Sequence, residues 1–479
     1  MSLSNERTTM SPLAQPAMLE NRCYDELTVG DSASLTRTLT KADIELFAIL
    51  SGDVNPAHLD EAYARDTPFH KVIAHGMWGG TLISTVLGTR LPGPGTIYVG
   101  QQLRFVRPVG LGDVITVTVV VKEKRDKNMV LLDCVCTNQL GKQVITGEAE
   151  VMAPTLKVRR AATALPELHL HRHERFAQLI ALAAQHPAIP CAVIFPEDVS
   201  SLITALEAAH AGLIRPVLLG RRANIEALAQ SHQLDLSTCD WVEADTPAAA
   251  VHQAITLARQ GSVAALMQGH LEAVDLLHAV MAHGTGLRTR RRVSHAYVVD
   301  VPDYPHPFII TDAAINVLPT LEDKRDIVQN AIDLARVLGF EPPRVAILSA
   351  AAAITSALSS STDAAALDKM LQRHQLSGGI VDGPLPFDAA INPAVAKLKY
   401  PESPVAGQAN VLVVPNLETG DMLVKQLTFL AGADVASIVL GTQVPVILTD
   451  SGDSPRTRMA NAALAVVLYK AIGGGLAPN

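Results

Sequence analysis

The chain has 479 residues, more than a single hydrophobic core usually serves, so the length predicts at least two domains. Hydrophobic residues make up 48% and charged residues 18%, a composition typical of soluble globular proteins. The formal net charge of −8 argues against general nucleic-acid binding, which needs a basic surface. We find neither a signal-peptide pattern nor an apolar run of the ~20 residues that span a bilayer. We therefore expect a cytoplasmic protein without nucleic-acid or membrane partners.

Residues 20–153 predict a first domain of the α+β class. Thr40 fits a helix N-cap with Asp43 at the third helical position. The segment 76–91 is apolar all round and rich in glycine, which predicts a buried helix. A buried helix followed by alternating strands indicates a helix packed on an antiparallel sheet. The predicted strands are Ile97–Val106, Asp113–Glu123, Met129–Thr137 and Gln143–Met152.

The rest of the chain has a different pattern. Residues 154–172 lack periodicity and contain two prolines, so we interpret them as a linker. Residues 173–475 alternate short apolar runs with helical stretches, which predicts an α/β domain with a two-lobed parallel sheet. Ligands of such sheets bind beyond the carboxyl ends of the strands. The apolar runs are Ala192–Phe195, Pro216–Leu219, Val263–Met267, Ala296–Val301, Phe308–Thr311, Val345–Leu348, Gly379–Val381, Val411–Val414 and Ile438–Leu440.

The first candidate site lies in the stretch that follows the Thr40 helix. The helix pattern ends at Gly52, and Asn55-Pro56 forces a turn. Asp53 and His58 flank this turn, so their side chains can converge on one water molecule as an acid–base pair. The spacing also describes a capped turn with a hydrogen-bonded histidine, and on its own it favours that simpler interpretation.

A second motif, Ala74-His75-Gly76-Met77, changes the balance. Gly76 would begin the apolar helix, and the free N–H groups at a helix N-terminus can hold a developing negative oxygen. A glycine at this position lets a ligand approach the backbone closely. An acid–base pair together with an oxyanion donor suits the addition of water to a double bond conjugated to a carbonyl.

Residues 25–153 resemble the MaoC-like, (R)-specific enoyl-CoA hydratases of the hot-dog fold. The resemblance implies that Asp53 and His58 activate water, that the Gly76 amide polarises the thioester carbonyl, and that Ser84 supports the site. It also implies an enoyl-CoA substrate, a hot-dog homodimer, and no metal or other cofactor. The motifs that carry it are Gly52–His58, Ala74–Met77, Phe105–Val109 and Gly112-Asp113.

The second candidate site contains the strongest run of positive charge, Arg288–Arg292. Such a run is either a solvated face or a phosphate clamp, and the sequence leaves both interpretations open. Asp312 and Asn316 follow one apolar run and Asp382 follows another, where a site in an α/β sheet is expected. We find no phosphate loop and no dinucleotide-binding fingerprint, which argues against nucleoside triphosphate or NAD chemistry.

Residues 173–475 resemble the phosphate acetyl/butyryl transferases, which move an acyl group between CoA and inorganic phosphate without a metal at the reacting centre. The resemblance implies that acyl-CoA and inorganic phosphate are substrates of this domain. The residues that it places at the phosphate and CoA site are Arg288, Arg291, Arg292, Ser294, His295, Asp312, Asn316, Asp382, Asp453 and Ser454.

Several positions depart from this second family. Gln268 stands where a lysine is usual, and Asp450-Ser451 replaces a Ser-Arg pair, so two cationic partners for phosphate are missing. We therefore hypothesise a transferase fold with weak, altered or absent activity that serves oligomerisation or CoA binding. A chain with two working enzymes and a pure acyl-CoA-binding protein are the alternatives. The other departures are Ala273, Ala350–Ala353 and Asn416.

Overall fold

The computed structural model describes residues 18–163, 174–302, 304–450 and 452–473. The chain divides into two units, Met1–Leu170 and His171–Asn479. Residues 164–172 of the predicted linker lie outside the described residues. Within the described part, no helix combines the length and the apolar character that crossing a membrane requires.

The first unit is a long helix packed on a curved antiparallel sheet, as expected for a hot-dog fold. Its sheet has the strand order β2-β4-β5-β6-β3, and every pairing is antiparallel. Alternate residues of β4 are buried against the helix α4, which produces the core. The elements are β1 (Met18–Glu20), β2 (Ser32–Thr38), α1 (Lys41–Ser51), α2 (Pro56–Leu59), α3 (Glu61–Asp66), α4 (Gly76–Thr89), β3 (Ile97–Phe105), β4 (Val114–Arg125), β5 (Met129–Thr137), β6 (Gln143–Met152) and β7 (Arg159–Ala161).

The ends of α1 follow from local chemistry, and they place the first candidate site. Thr40 accepts a hydrogen bond from the Asp43 N–H while the Asp43 carboxylate accepts one from the Thr40 N–H, which confirms the predicted capping box. At the other end Gly52 adopts a left-handed conformation with φ 75°, which a residue with a side chain rarely adopts. The chain therefore turns sharply just before Asp53.

Three features of this unit differ from the predictions. The helix α4 is buried on one face only, because a single chain covers only the side that faces the sheet. The strand β2 was missed because its sequence is mostly polar. Residues 159–161, which we predicted as linker, form β7 and pair with β1 in a separate two-stranded sheet.

The described residues of the second unit form one mixed sheet of eleven strands. Its order is β10-β9-β8-β11-β18-β17-β12-β13-β16-β14-β15. The elements are α5 (Glu174–Ala184), β8 (Ile189–Ile194), α6 (Val199–His210), β9 (Ile214–Gly220), α7 (Arg222–Ser231), β10 (Asp240–Glu243), α8 (Pro247–Arg259), β11 (Ala265–Gln268), α9 (Ala273–Met281), β12 (Ser294–Asp300), β13 (Phe308–Thr311), α10 (Leu321–Val337), β14 (Arg344–Leu348), α11 (Ser359–Gln372), β15 (Ile380–Leu385), α12 (Phe387–Ile391), α13 (Pro393–Lys399), β16 (Val411–Val413), α14 (Leu417–Ala431), β17 (Asp434–Leu440), β18 (Val446–Ile447) and α15 (Pro455–Ala471).

The α/β class is confirmed, but the sheet is not parallel throughout. The strand β12 is antiparallel to both of its neighbours, β17 and β13, and β17 is antiparallel to β18. The parallel strands before β17 and those after β12 therefore run in opposite directions. Their carboxyl ends lie at opposite edges of the sheet, so the predicted site residues, which follow strands of both groups, do not share one edge.

Candidate active site

The turn that holds His58 is fixed by its neighbours. Asn55 caps the short helix α2, accepting a hydrogen bond from the Ala57 N–H at 3.1 Å. The Nδ1 atom of His58 lies 2.8 Å from the Ile73 carbonyl oxygen. Because a carbonyl only accepts, Nδ1 carries the hydrogen and Nε2 of the neutral ring is the free base.

Asp53 lies beside this histidine. Its backbone carbonyl accepts a hydrogen bond from His75 Nε2 at 2.9 Å, which ties the Asp53 loop to the residue before α4. Its exposed carboxylate and a ring nitrogen of His58 approach within 4.8 Å. A water molecule hydrogen-bonded at ~2.8 Å to each group bridges such a gap. The structure thus brings together the two side chains that the sequence predicted as a pair.

Gly76 begins α4 at the same place. His75 is the N-cap residue but offers no side-chain cap, so the first N–H groups of the helix are available to a ligand. His58 and Gly76 both line a cavity of about 290 Å³. A base and an amide donor therefore face one cavity, an arrangement that can stabilise a developing negative oxygen. The other lining residues are Phe69, Ile73, Ala74, His75, Trp78, Gly79, Phe105, Val106, Arg107, Pro108, Val109 and Ile145.

Ser84 is not part of this arrangement in the single chain. It lies on the exposed face of α4, eight residues and therefore ~12 Å along the helix axis from Gly76. It does not line the cavity. A supporting role for Ser84 stays a prediction that rests on the family resemblance.

Asp53, His58 and His75 together have the residue types of a metal site. However, His58 Nδ1 and His75 Nε2 are both used by hydrogen bonds to carbonyl oxygens, and His75 Nδ1 is buried. The expectation of a reaction without a metal stays a prediction, and the same atoms suit a bound water.

In the second unit, Asp312 is the centre of a buried network. Its carboxylate accepts hydrogen bonds from the N–H groups of Ala314 and Ile315 at 3.0 and 2.9 Å, and from the Asn316 side chain. Burial raises the pKa of the Asp312 carboxyl and lowers the pKa of His295 to about 4. The His295 backbone N–H also donates to Asp312, whereas the buried ring Nδ1 of His295 has no hydrogen-bond partner. The network leaves little of Asp312 for a ligand.

The predicted arginine clamp is largely paired within the protein. Arg292 donates to the Asn316 side-chain oxygen at 2.7 Å and lies 3.5 Å from the Asp323 carboxylate. Arg291 forms an ion pair with Asp333, and Arg288 is exposed. Because carboxylates already occupy two of these guanidinium groups, a phosphate would have to displace them.

Of the other predicted residues, Asp382 is separated from this network. Asp382 lies within β15, four strand positions and therefore ~19 Å from β12, so it does not join His295 and Asp312. Ser454 caps α15 and accepts a hydrogen bond from the Thr457 N–H. Burial raises the pKa of Asp453, whose carboxylate accepts a hydrogen bond from the Asp450 N–H. The structure therefore sets Asp382 apart from the Asp312 network, and a shared role of the ten residues at a phosphate and CoA site stays a prediction.

Two of the positions that depart from the transferase pattern, Gln268 and Asp450, line a separate cavity of about 700 Å³. Gln268 is buried there. Its side-chain amide donates to the Leu271 carbonyl at 2.8 Å and accepts a hydrogen bond from the Thr449 N–H at 3.2 Å. Among the described lining residues, Arg458 is the one lysine or arginine, and its Nη1 already contacts the Ser200 hydroxyl. Sequence reasoning missed Arg458, because it is one residue in a regular helix pattern. The acidic lining residues are Asp198, Glu272, Asp275 and Asp450.

These folds and sites define a two-domain protein, with a hot-dog domain of hydratase type before an α/β domain of acyltransferase type. The family model "Phosphate acetyl/butaryl transferase" matches residues 246–466, and the model "MaoC like domain" matches residues 29–137. A phosphate acetyltransferase from Rhizobium meliloti is 50% identical over 298 residues, covering 62% of this chain and 94% of that protein. The chain therefore belongs to the phosphate acetyl/butyryl transferase family and carries a MaoC-like domain in its N-terminal part.

Two solved structures are similar to parts of the chain. A branched-chain phosphotransacylase from Enterococcus faecalis is 27% identical at a TM-score of 0.53, covering 58% of this chain and 98% of its own. An R-hydratase, PhaJ1, from Pseudomonas aeruginosa is 50% identical at a TM-score of 0.32, covering 32% of this chain and 100% of its own.

Proposed function

We propose that the first unit hydrates trans-2-enoyl-CoA to (R)-3-hydroxyacyl-CoA. One observation carries the proposal: the Asp53 carboxylate and a His58 ring nitrogen lie within 4.8 Å, beside a cavity that also contains the start of α4. The match to the MaoC-like model supports the reaction class. The (R) configuration follows from the resemblance of residues 25–153 to the (R)-specific hydratases.

The proposed chemistry adds one water across the C2–C3 double bond. Asp53 and His58 bind the water and remove one proton as its oxygen bonds to C3. The electron pair of the double bond moves toward the thioester carbonyl, and the Gly76 N–H stabilises the negative charge that develops on the carbonyl oxygen. The pair then returns the proton to C2, so every atom of the water is found in the product.

The test measures hydration of crotonyl-CoA by the full-length chain through loss of the conjugated thioester absorbance. We expect Asp53→Asn and His58→Ala each to lower kcat by ~10²-fold or more, because positioned acid–base groups contribute ~10²- to 10⁴-fold. Asp66→Asn, an exposed carboxylate on α3, is the matched control. Chiral analysis of the product tests the (R) assignment. Unchanged rates in both site variants would rule the proposal out.

A second candidate function concerns the second unit. Its fold is of the type that transfers acyl groups between CoA and phosphate, but its altered cavity combines four carboxylates with Arg458. Carboxylates repel phosphate, so we propose weak or absent phosphotransacylase activity and a supporting role in oligomerisation or CoA binding. The assay supplies acetyl-CoA or butyryl-CoA with phosphate and measures CoA release. A turnover of ~1 s⁻¹, at the low end of ordinary enzymes, would contradict the proposal.

We also propose that the first unit forms the homodimer that its resemblance implies. The edge strand β3 exposes Ile97 and Val99, with 58% and 52% of their surface accessible, and the helix α4 exposes Met77. An exposed apolar edge strand invites pairing with a second copy. Light scattering of the full-length chain measures its oligomeric state and tests this proposal. Val99→Lys should shift the equilibrium from dimer toward monomer.

A further inference from the structure

His75 is buried in the first unit without an assigned role. It is 3% exposed and lies between the acid–base pair and the first residue of α4. Its Nε2 is 2.9 Å from the Asp53 carbonyl oxygen, so Nε2–H donates to it. Its ring centroid is 4.0 Å from that of His58 and 4.9 Å from that of Phe47. It therefore contacts both members of the proposed pair, one through the backbone and one through the ring.

The segment 73–76 contacts or contains each functional group of the proposed site. The Ile73 carbonyl orients His58, His75 holds the Asp53 loop, and Gly76 supplies the helix amide. The Ala74 N–H donates to the Val109 carbonyl at 2.8 Å, which fastens the segment to the chain that leads from β3 to β4. Residues 73–76 therefore fix the positions of Asp53 and His58 and also supply the Gly76 amide.

The Asp53 loop has few other supports. Its remaining hydrogen bonds are local, from the Asp53 N–H to Ser51 Oγ and from the Asn55 N–H to the Asp53 carboxylate, both at 3.2 Å. The contact with His75 joins residues 22 positions apart. Within the described part of the chain, it is the one hydrogen bond of the Asp53 backbone and carboxylate that ties this loop to the start of α4.

A filling role does not explain a histidine at this position. The Nδ1 atom of His75 is buried and has no hydrogen-bond partner, which is unfavourable. A phenylalanine would fill the same space between Phe47 and His58 without leaving a polar atom unsatisfied. What only the polar ring supplies is the Nε2–H donor.

We infer that His75 is a positioning residue of the hydratase site, which sets the distance between the Asp53 carboxylate, His58 and the Gly76 amide. The inference rests on the proposed hydratase function. A displacement of a catalytic group by ~1 Å can cost up to ~10²-fold in rate, so loss of one tether is sufficient to slow the reaction. Substrate binding depends less on this hydrogen bond, so we expect its loss to lower kcat more than it changes KM.

The experiment compares two variants of the full-length chain with crotonyl-CoA as the probe. His75→Phe keeps an aromatic ring and removes the donor, whereas His75→Gln keeps a donor and removes the ring. We expect His75→Phe to lower kcat by ~10- to 100-fold with KM changed less than ~3-fold, and His75→Gln to retain most of the rate. Thermal unfolding should show that His75→Phe is folded, since it removes a buried unsatisfied atom.

A double-mutant cycle separates positioning from a general structural effect. If His75 acts through Asp53, the penalty of His75→Phe should largely disappear in the Asp53→Asn background. Full additivity, a wild-type rate for His75→Phe, or equal losses in both His75 variants would each overturn the inference. A wild-type chain that does not hydrate crotonyl-CoA would instead refute the proposed function, so the two failures are distinguishable.

Discussion

The polar groups of the two units differ in how fully they are used by hydrogen bonds within the protein. In the first unit, the Asp53 carboxylate is exposed, and His58 Nε2 and the Gly76 N–H are not used by the caps and hydrogen bonds around them. In the second unit, Asp312 accepts four hydrogen bonds and Arg292 is held by Asn316 and Asp323. Unused donors and acceptors beside a cavity indicate chemistry, whereas fully used ones indicate structure.

This comparison also shows what a family resemblance can and cannot establish. Both units match their families, and both retain the scaffold. The second unit nevertheless has Asp450 in the wall of the 700 Å³ cavity and uses Gln268 to join two loops. A scaffold survives such changes because its stability comes from apolar burial, but a phosphate site depends on a few charges.

The largest effect is expected from restoring those charges. The triple variant Gln268→Lys, Asp450→Ser and Ser451→Arg replaces the departures by the residues that the transferase pattern implies. Hydrogen bonds to charged groups contribute ~1.5–3 kcal/mol each, so two restored cations should raise the acyl-CoA and phosphate reaction by ~10²- to 10⁴-fold. The measurement is CoA release from acetyl-CoA with phosphate. Hydration of crotonyl-CoA should not change.

The matched control makes the same changes of charge on the surface. Gln230→Lys, Ser231→Arg and Asp240→Ser alter three exposed residues of α7 and β10 that do not line the cavity. We expect no gain from this variant. An equal gain in both variants would show that net charge, rather than the site, controls the reaction, and the contrast between the units would lose its basis.

Much of the fold could be predicted because periodicity reports burial directly. The strands β5, β6 and β13 have the predicted bounds, and the Thr40 cap is where its residue types indicated. Strand direction could not be predicted, because an apolar run looks the same in a parallel and an antiparallel neighbourhood. Strand order could not be predicted either, and that is why Asp382, four strand positions from β12, was grouped with His295.

The first site was predicted better than the second for a physical reason. Asp53 and His58 are five residues apart across one turn, so local geometry nearly decides their approach. The tether from His75 was not predicted, although the Ala74–Met77 motif contained it, because a hydrogen bond to a backbone carbonyl leaves no pattern in the sequence. The second site depends on contacts between distant strands.

The next effect concerns stability and pH, and it tests whether the polar groups of the second unit are structural. Burial lowers the pKa of His295 from 6.5 to about 4, so the unfolded chain binds more protons between these values. The contribution of His295 to the free energy of unfolding is therefore fully present above pH 6.5 and is lost as the pH falls toward 4. The loss between pH 7 and pH 5 should be about 2 kcal/mol.

Hydrogen exchange of peptides that cover β12 measures this loss in the full-length chain. His295→Phe should flatten the dependence, since the buried titrating group is gone while the edge-on contact with Tyr297 is kept. Identical pH slopes in the wild type and in His295→Phe would contradict a structural role for His295.

The smallest effect is expected at the helix amide of the first site, where Gly76→Ala places a methyl group beside the N–H. The added Cβ would lie 3.2 Å from Phe105 Cε1, so the exposed ring must shift and the thioester can no longer approach the backbone closely. We expect kcat/KM for crotonyl-CoA to fall by ~10-fold, or ~1.4 kcal/mol of transition-state stabilisation. Gly88→Ala is the matched control on the same helix, because a Cβ there meets nothing within 4 Å. It should leave the rate unchanged and raise stability by roughly 0.5–1 kcal/mol. If Gly76→Ala behaved like Gly88→Ala, the start of α4 would not be a catalytic donor, and the first unit would have only its acid–base pair to distinguish it from the second.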